Sequence, residues 1–168
     1  SIMRLRNIPG ADEAIADSPH CIQEPMAEKG RWHLIFGNEN PIHIEIGMGK
    51  GQFIMKLAKE HPDINYIGIE RYSSVLLRAL QKMEIEPLPN IRFLCMDASI
   101  ITEVFDKEEV AKIYLNFSDP WPKERHAKRR LTHGNFLRLY RQVLKMGGQI
   151  HFKTDNQDLF TFLSLIHI

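Results

Sequence analysis

The stretch Ile42-His-Ile-Glu-Ile46, followed by Gly47-Met-Gly-Lys-Gly51, decides the fold. Its first half is a short run rich in β-branched side chains, which predicts a strand. Its second half is a glycine-rich turn, after which apolar residues recur at helical spacing from Gln52 to Glu60. A strand, a glycine turn and a helix in this order are typical of the start of a βαβ unit.

The same alternation continues along the chain after this stretch. Strands are predicted at 65–69, 91–96, 111–117 and 149–153. Helices are predicted at 73–83, from the residues after Asp97 to about 105, from Thr132 to Gly147-Gly148, and at 156–163. Residues 118–131 are predicted as a long loop, and 7–41 as an extended arm with a short helix as an option. The alternation predicts an α/β fold with a mostly parallel sheet and helices on both faces. We expect an N-terminal arm at 1–40 and one domain at 41–168.

Composition excludes several classes of protein. The chain has 168 residues, of which 43% are hydrophobic and 26% charged, and this excludes a disordered chain, a collagen and a coiled coil. Two cysteines cannot form a disulfide framework, so a reduced, cytoplasmic protein is expected. Cys95 lies within a predicted strand and is expected in the core. No apolar run is long enough for a membrane span, so no membrane partner is expected.

The charge is unevenly distributed. The net charge is +1, but residues 1–122 carry −5 and residues 123–145 carry +7. A segment with that local charge can be a solvated helix face or a phosphate-binding surface. The cluster of basic residues before the helix pattern begins favours phosphate.

Acidic or hydroxyl side chains stand at the carboxyl end of every predicted strand. In parallel sheets, ligands bind beyond the carboxyl ends of the strands. The groups at those ends are Glu45 with the glycine turn, Glu70, Asp97, Ser118-Asp119 and Thr154-Asp155. A structural role alone does not require this chemistry at each end, so the sequence predicts a functional site along this edge.

The glycine turn and the acids together select a cofactor. A nicotinamide site favours G-x-G-x-x-G, but Gly51 comes one residue early for that pattern. Glu45 would repel a pyrophosphate, whereas it suits an amino group or a sulfonium. Glu70 suits a ribose diol, and Asp97 suits an adenine amino group. These preferences describe S-adenosylmethionine and disfavour a nicotinamide oxidoreductase.

Five segments also resemble the bacterial tRNA (guanine-N7)-methyltransferases, which are class I, Rossmann-like methyltransferases. They are Ile44-Glu-Ile-Gly-Met-Gly-Lys-Gly51, Ile67-Gly-Ile-Glu70, Asn116-Phe-Ser-Asp-Pro-Trp-Pro122, Arg125-His-Ala-Lys-Arg-Arg130 and Phe152-Lys-Thr-Asp-Asn156. The resemblance implies methyl transfer from S-adenosylmethionine to N7 of a guanosine in the variable loop of tRNA.

The resemblance also implies residue roles. Cofactor contacts are expected from Glu45, Gly47, Gly49, Gly51, Glu70, Asp97 and Asp119. Asp119 is the expected catalytic residue, and Lys123 and Asp155 are expected to contact the substrate. RNA contacts are expected from Arg125, His126, Lys128, Arg129 and Arg130.

Two departures from the family pattern leave alternatives open. The N-terminal arm lacks the family's lysine and aromatic residue, because Ile8 and Gly10 stand there. The family also continues beyond the position of Ile168, so we expect a chain truncated at its C-terminus, with the last strands of the sheet missing. A non-catalytic RNA-binding fragment is therefore the alternative to an active enzyme. No metal is expected, because the histidines of the basic segment lack acidic or cysteine partners. Both a monomer and a homodimer remain open.

Overall fold

The fold is built around one six-stranded sheet. The computed structural model describes residues 10–116, 134–153 and 159–164. The strand order is β3-β2-β1-β4-β5-β6. The strands are β1 (Ile42–Ile46), β2 (Asn65–Glu70), β3 (Ile91–Cys95), β4 (Val110–Asn116), β5 (Leu144–Lys153) and β6 (Leu159–Ser164). Neighbouring strands from β3 through β5 are parallel, and β6 is antiparallel to β5. The mostly parallel sheet predicted from the sequence is confirmed.

Helices cover both faces of this sheet. They are α1 (Ala11–Asp17), α2 (Trp32–Phe36), α3 (Gln52–Glu60), α4 (Ser73–Ile85), α5 (Ile101–Val104) and α6 (Gly134–Val143), with short 3-10 turns at Pro25–Glu28 and Ala98–Ile100. Consecutive strand residues point to opposite faces. Tyr66 accordingly packs in a core with α1, α3 and α4, whereas Ile67 packs in a second core with α2, α5 and α6.

The strand order places the glycine turn at a special position. From β1 the chain builds β2 and β3 on one side, and then crosses back to place β4 on the other side of β1. Ligands of open parallel sheets bind where the strand order reverses in this way, outside the carboxyl ends of the strands. In this fold, the reversal lies between β1 and β4, where the glycine turn begins.

The segment before β1 differs from the extended arm that we predicted. Residues 11–36 form two helices and a 3-10 turn, and Trp32 is fully buried. The Trp32 indole donates a hydrogen bond to the Val104 carbonyl at 2.8 Å, and its ring lies 5.4 Å from the Phe105 ring. The Glu109 carboxylate also accepts hydrogen bonds from the Gly30 and Trp32 main-chain N–H groups. This segment therefore contributes to the core of the sheet's second face.

The end of α6 also differs from the prediction. The helix ends at Val143 instead of Gly147-Gly148, and β5 begins at Leu144. The pairing of β4 with β5 is irregular between Val110 and Lys112. A Cβ on Gly148 would lie 2.8 Å from the Lys145 carbonyl oxygen. Gly148 thus allows close backbone approach within an irregular strand, and Gly147 has a positive φ of 78°, so the pair does not end the helix.

The predicted helix at 156–163 is wrong where the structure describes it. Residues 159–164 form β6, which pairs with β5 from Lys153↔Leu159 to Gln149↔Ser164. The sequence Leu159-Phe-Thr-Phe162 is rich in residues that favour strands. The edge of β5 offers main-chain groups for this pairing.

No helix within the described ranges is both long enough and apolar enough to cross a membrane.

Candidate cofactor site and active site

The glycine turn is tied to the neighbouring strand by its main chain. The Gly47 and Met48 N–H groups both donate to the Ile69 carbonyl, at 2.9 and 3.0 Å. The Gly49 N–H donates to Glu70 Oε1 at 3.0 Å. The turn after β1 is therefore held against the end of β2.

Two glycines of this turn have different surroundings. Both have positive φ, 61° at Gly49 and 81° at Gly51. A Cβ on Gly51 would lie 3.0 Å from the Ala79 Cβ, so Gly51 allows α3 to pack closely on α4. A Cβ on Gly49 would meet no atom within 4 Å. The open side of Gly49 is thus a part of the turn that a ligand can approach.

Glu70 joins the turns after β1 and β2. It is only 8% exposed. Its Oε1 accepts from Gly49, and its Oε2 accepts from the Tyr72 N–H at 2.9 Å. Burial raises the pKa of the Glu70 carboxyl, and the main-chain donors oppose that rise. Carboxylate oxygens carry more than one lone pair, so each can still accept a hydroxyl donor.

Glu45 lies on β1, two residues before the turn, and is fully buried. Its backbone pairs with Gly68 on one side and Tyr114 on the other. Burial, followed by the charge of Glu45, raises the pKa of the Tyr114 hydroxyl. A Cβ on Gly68 would overlap the Met48 sulfur, so the Met48 side chain lies over the strand beside Glu45. Because Glu45 is fully buried, its contact with a cofactor would require movement of the side chains around it.

Asp97 stands just beyond β3. Its Oδ1 accepts from the Ser99 N–H at 2.9 Å and caps the following 3-10 turn. Its Oδ2 lies 3.7 Å from the Arg71 Nε. The Asp97 side chain is 45% exposed, so it is accessible to a ligand.

The described part of the site suits an adenosine ligand that carries a positive charge. Glu45, Glu70 and Asp97 lie at or near the carboxyl ends of three adjacent strands, so this edge is acidic and rich in acceptors. Glu70 offers acceptors for hydroxyl groups, Asp97 an exposed acceptor for an amino group, and Gly49 an open backbone surface. Within the described ranges, no group of three or more histidine, cysteine or acidic residues could hold a metal.

Comparison with known proteins identifies the family. A family model described as "Putative methyltransferase" matches residues 39–164. A tRNA (guanine-N(7)-)-methyltransferase of Lachnoclostridium phytofermentans is 61% identical over 160 residues, which are 95% of this chain and 75% of that protein. This chain belongs to the tRNA (guanine-N7)-methyltransferase family. A second member, from Bacillus subtilis strain 168, is 53% identical over 161 residues and is covered to 76% of its length.

Solved structures of other methyltransferases share the fold. The 16S rRNA methyltransferase KamB matches with a TM-score of 0.59 and 16% identity, covering 74% of this chain and 57% of that chain. The antibiotic-resistance methyltransferase Kmr matches with a TM-score of 0.58 and 20% identity, covering 80% of this chain and 68% of that chain. The predicted Rossmann-like methyltransferase fold is confirmed.

Several family-implied residues lie outside the described ranges. The structure brings together Glu45, the glycine turn, Glu70 and Asp97. The residues outside the described ranges are Asp119, Lys123, Arg125, His126, Lys128, Arg129, Arg130 and Asp155. The roles of both groups remain predictions for this methyltransferase.

Two residues near this methyltransferase site differ from the sequence analysis. Cys95 is exposed rather than in the core, and its thiol donates to the Arg71 carbonyl at 3.7 Å. It is the last residue of β3, where the strand leaves the sheet. Arg71, which was not among the candidates, contacts Asp97. Its position directly after Glu70, at the carboxyl end of a predicted strand, could have identified Arg71 as a candidate site residue from the sequence.

Proposed function

We propose that this chain transfers a methyl group from S-adenosylmethionine to N7 of a guanosine in the variable loop of tRNA. The observation that carries the proposal is its 61% identity, over 95% of the chain, to a relative named for that guanine-N7 activity on tRNA. The acidic, acceptor-rich edge of the sheet supports the same proposal, because it suits the adenosine and the positive charge of this cofactor.

The cofactor contacts follow from the chemistry of each side chain. Glu70 would accept from ribose hydroxyls and Asp97 from the adenine amino group. Glu45 would offset the positive charge at the other end. The turn of Gly47, Gly49 and Gly51 would allow close backbone approach. S-adenosylmethionine supplies, when bound, a methyl group on a positively charged sulfur.

The acceptor chemistry explains the choice of catalytic residue. Guanine N7 has a lone pair and carries no proton, so its attack on a methyl group needs no general base. Positive charge then develops on the purine. Asp119 is proposed as the catalytic residue, because a carboxylate beside the ring stabilises that charge. Alignment of the acceptor with the methyl group supplies further catalysis.

The RNA and substrate contacts are proposed for the segments that follow β4 and β5. Lys123 and Asp155 would contact the substrate nucleoside. The phosphates would bind the basic residues Arg125, His126, Lys128, Arg129 and Arg130. The local charge of +7 over residues 123–145 supports this assignment. A cytoplasmic location is proposed with it, because tRNA is the substrate.

The division of the chain into an arm at 1–40 and a methyltransferase domain at 41–168 also remains a proposal. The family model begins at residue 39, which supports a boundary there. The burial of Trp32 against Val104 and Phe105 means that the arm packs on the domain over at least part of its length.

The direct test is methyl transfer from labelled S-adenosylmethionine to unmodified tRNA, followed by nucleoside analysis. We expect label in 7-methylguanosine. Label only in adenosine or cytidine would contradict the assignment. Binding of tRNA with no transfer of label would favour the non-catalytic RNA-binding alternative.

Asp119→Ala tests the catalytic role. We expect the rate of transfer to fall by at least about 100-fold, because an electrostatic contact to the developing charge is lost. Cofactor binding should remain measurable by calorimetry. Glu103→Ala, at an exposed acid on α5, is the matched control and should behave as the parent. Equal rates for parent and Asp119→Ala would refute the role.

A further inference from the structure

Arg71 lies between the two acids that we assign to the adenosine. It directly follows Glu70 at the end of β2, and β2 pairs with β3 so that Glu70 stands opposite Cys95. Asp97 is two residues beyond Cys95. A side chain at position 71 can therefore reach across the carboxyl ends of both strands.

The main chain of Arg71 is bound to the neighbouring strand. Its carbonyl accepts a hydrogen bond from the Cys95 thiol at 3.7 Å, and the next residue, Tyr72, donates its N–H to Glu70 Oε2 at 2.9 Å. The residue thus has a defined position between β2 and β3, although its side chain is 66% exposed.

The guanidinium group has two contacts. Its Nε lies 3.7 Å from Asp97 Oδ2, and its Cζ lies 5.6 Å from the centre of the Tyr72 ring. The contact with the aromatic ring limits the directions that the guanidinium can take. Arg71 therefore places a cation beside Asp97.

Asp97 is held from two sides as a result. The Ser99 N–H holds Oδ1 at 2.9 Å, and Arg71 lies beside Oδ2. With the first contact alone, the carboxylate could still turn Oδ2 toward solvent, since this side chain is half exposed. The second contact restricts that rotation.

We propose that Arg71 is a positioning residue for the adenine end of the cofactor: it orients the Asp97 carboxylate to accept from the adenine amino group. This inference rests on the proposed function, because it needs Asp97 to contact the cofactor. Arg71 itself takes no part in methyl transfer.

The test measures how strongly the protein prefers a ligand that carries the adenine amino group. Calorimetry on the intact chain gives the Kd of S-adenosylhomocysteine and of S-inosylhomocysteine, which has an oxygen in place of the amino group. The parent should prefer the adenosine compound. Exposed ion pairs are weak, so we expect Arg71→Ala to reduce that preference by about two- to five-fold. Arg71→Lys should restore part of that preference.

Two further variants make the test specific. Arg78→Ala removes an exposed arginine whose recorded hydrogen bond is to Gln81 of the same helix, so it should match the parent. Asp97→Asn should reduce the preference, and Arg71→Ala should add nothing further in the Asp97→Asn background. Additive effects would overturn the inference.

The outcomes separate the inference from the proposed function. If the parent binds neither S-adenosylmethionine nor its adenosine product, the proposed function fails. If the parent binds them and Arg71→Ala keeps the parent's preference, only the role of Arg71 is overturned. If Asp97→Asn keeps the preference, the role of Arg71 is also overturned, since it acts through Asp97.

Discussion

Three glycines with positive φ allow the effects of backbone strain, side-chain packing and ligand access to be measured separately. Gly37, Gly49 and Gly51 all have positive φ, between 61° and 81°. Alanine at any of them costs about 1–2 kcal/mol of folding stability through backbone strain. A Cβ at Gly37 or Gly49 meets no atom within 4 Å, whereas at Gly51 it lies 3.0 Å from Ala79 and 3.2 Å from the Met55 sulfur. Overpacking of this kind adds about 1–3 kcal/mol.

Urea denaturation and calorimetry with S-adenosylmethionine distinguish the three alanine variants. Gly37→Ala, which lies at the end of α2, should lose only the strain energy and keep the parent's cofactor affinity. Gly49→Ala should lose similar stability but bind the cofactor about ten-fold or more weakly, about 1.4 kcal/mol, because its methyl group fills the open side of the turn. Gly51→Ala should lose about 1–3 kcal/mol more stability than the other two. Unchanged cofactor affinity in Gly49→Ala would refute the assignment of this open side. Equal stability of Gly49→Ala and Gly51→Ala would refute the packing argument.

The remaining predictions concern stability. Burial, followed by the nearby charge of Lys112, lowers the pKa of His43 from 6.5 to about 4. As the pH falls, His43 is therefore protonated in the unfolded chain before it is protonated in the folded chain. The free energy of unfolding should drop by about 3 kcal/mol between pH 7 and pH 4. His43→Phe should remove this part of the pH dependence, whereas His33→Gln, on α2 at the sheet's other face, should keep it; a His43 titration near pH 6.5 by NMR would contradict the prediction. Glu108 has φ 59°, so Glu108→Gly should raise the free energy of unfolding by about 0.5–1 kcal/mol. Glu108→Ala keeps the strain, and an equal gain in that variant would show that strain is not the cause.

The parallel sheet and the edge that carries the site could be predicted from the sequence. Strand and helix patterns depend on local spacing, and the carboxyl ends of parallel strands must meet at one edge. Glu70, Asp97 and the glycine turn were placed correctly at that edge for this reason. The hydrogen bond from the Gly49 N–H to Glu70 could not be predicted, because it depends on how β1 and β2 are placed relative to each other.

The predictions that were wrong, at Trp32, at 156–163 and at Cys95, also have physical causes. Trp32 belongs to a helix of only five residues, too short for a helical period to emerge from a polar segment. The helix predicted at 156–163 failed because an edge of β5 could pair with residues 159–164, which is a long-range effect. Cys95 ends its strand, where burial stops, and the boundary of an element is the least certain part of any pattern.

Glu70 contributes both to the shape of the proposed cofactor site and to its affinity for the cofactor. Its Oε1 holds the turn after β1 through Gly49, and its Oε2 holds the turn after β2 through Tyr72. A carboxylate whose orientation is already fixed loses little further freedom when a ribose hydroxyl donates to it, so more of the contact energy contributes to affinity. The same carboxylate also sets the position of Gly49, whose open side we assign to the cofactor. Any substitution of Glu70 would change both the acceptor and the turn. Gly49→Ala leaves the Glu70 carboxylate in place, and for this reason it measures the contribution of the turn separately from that of the acceptor.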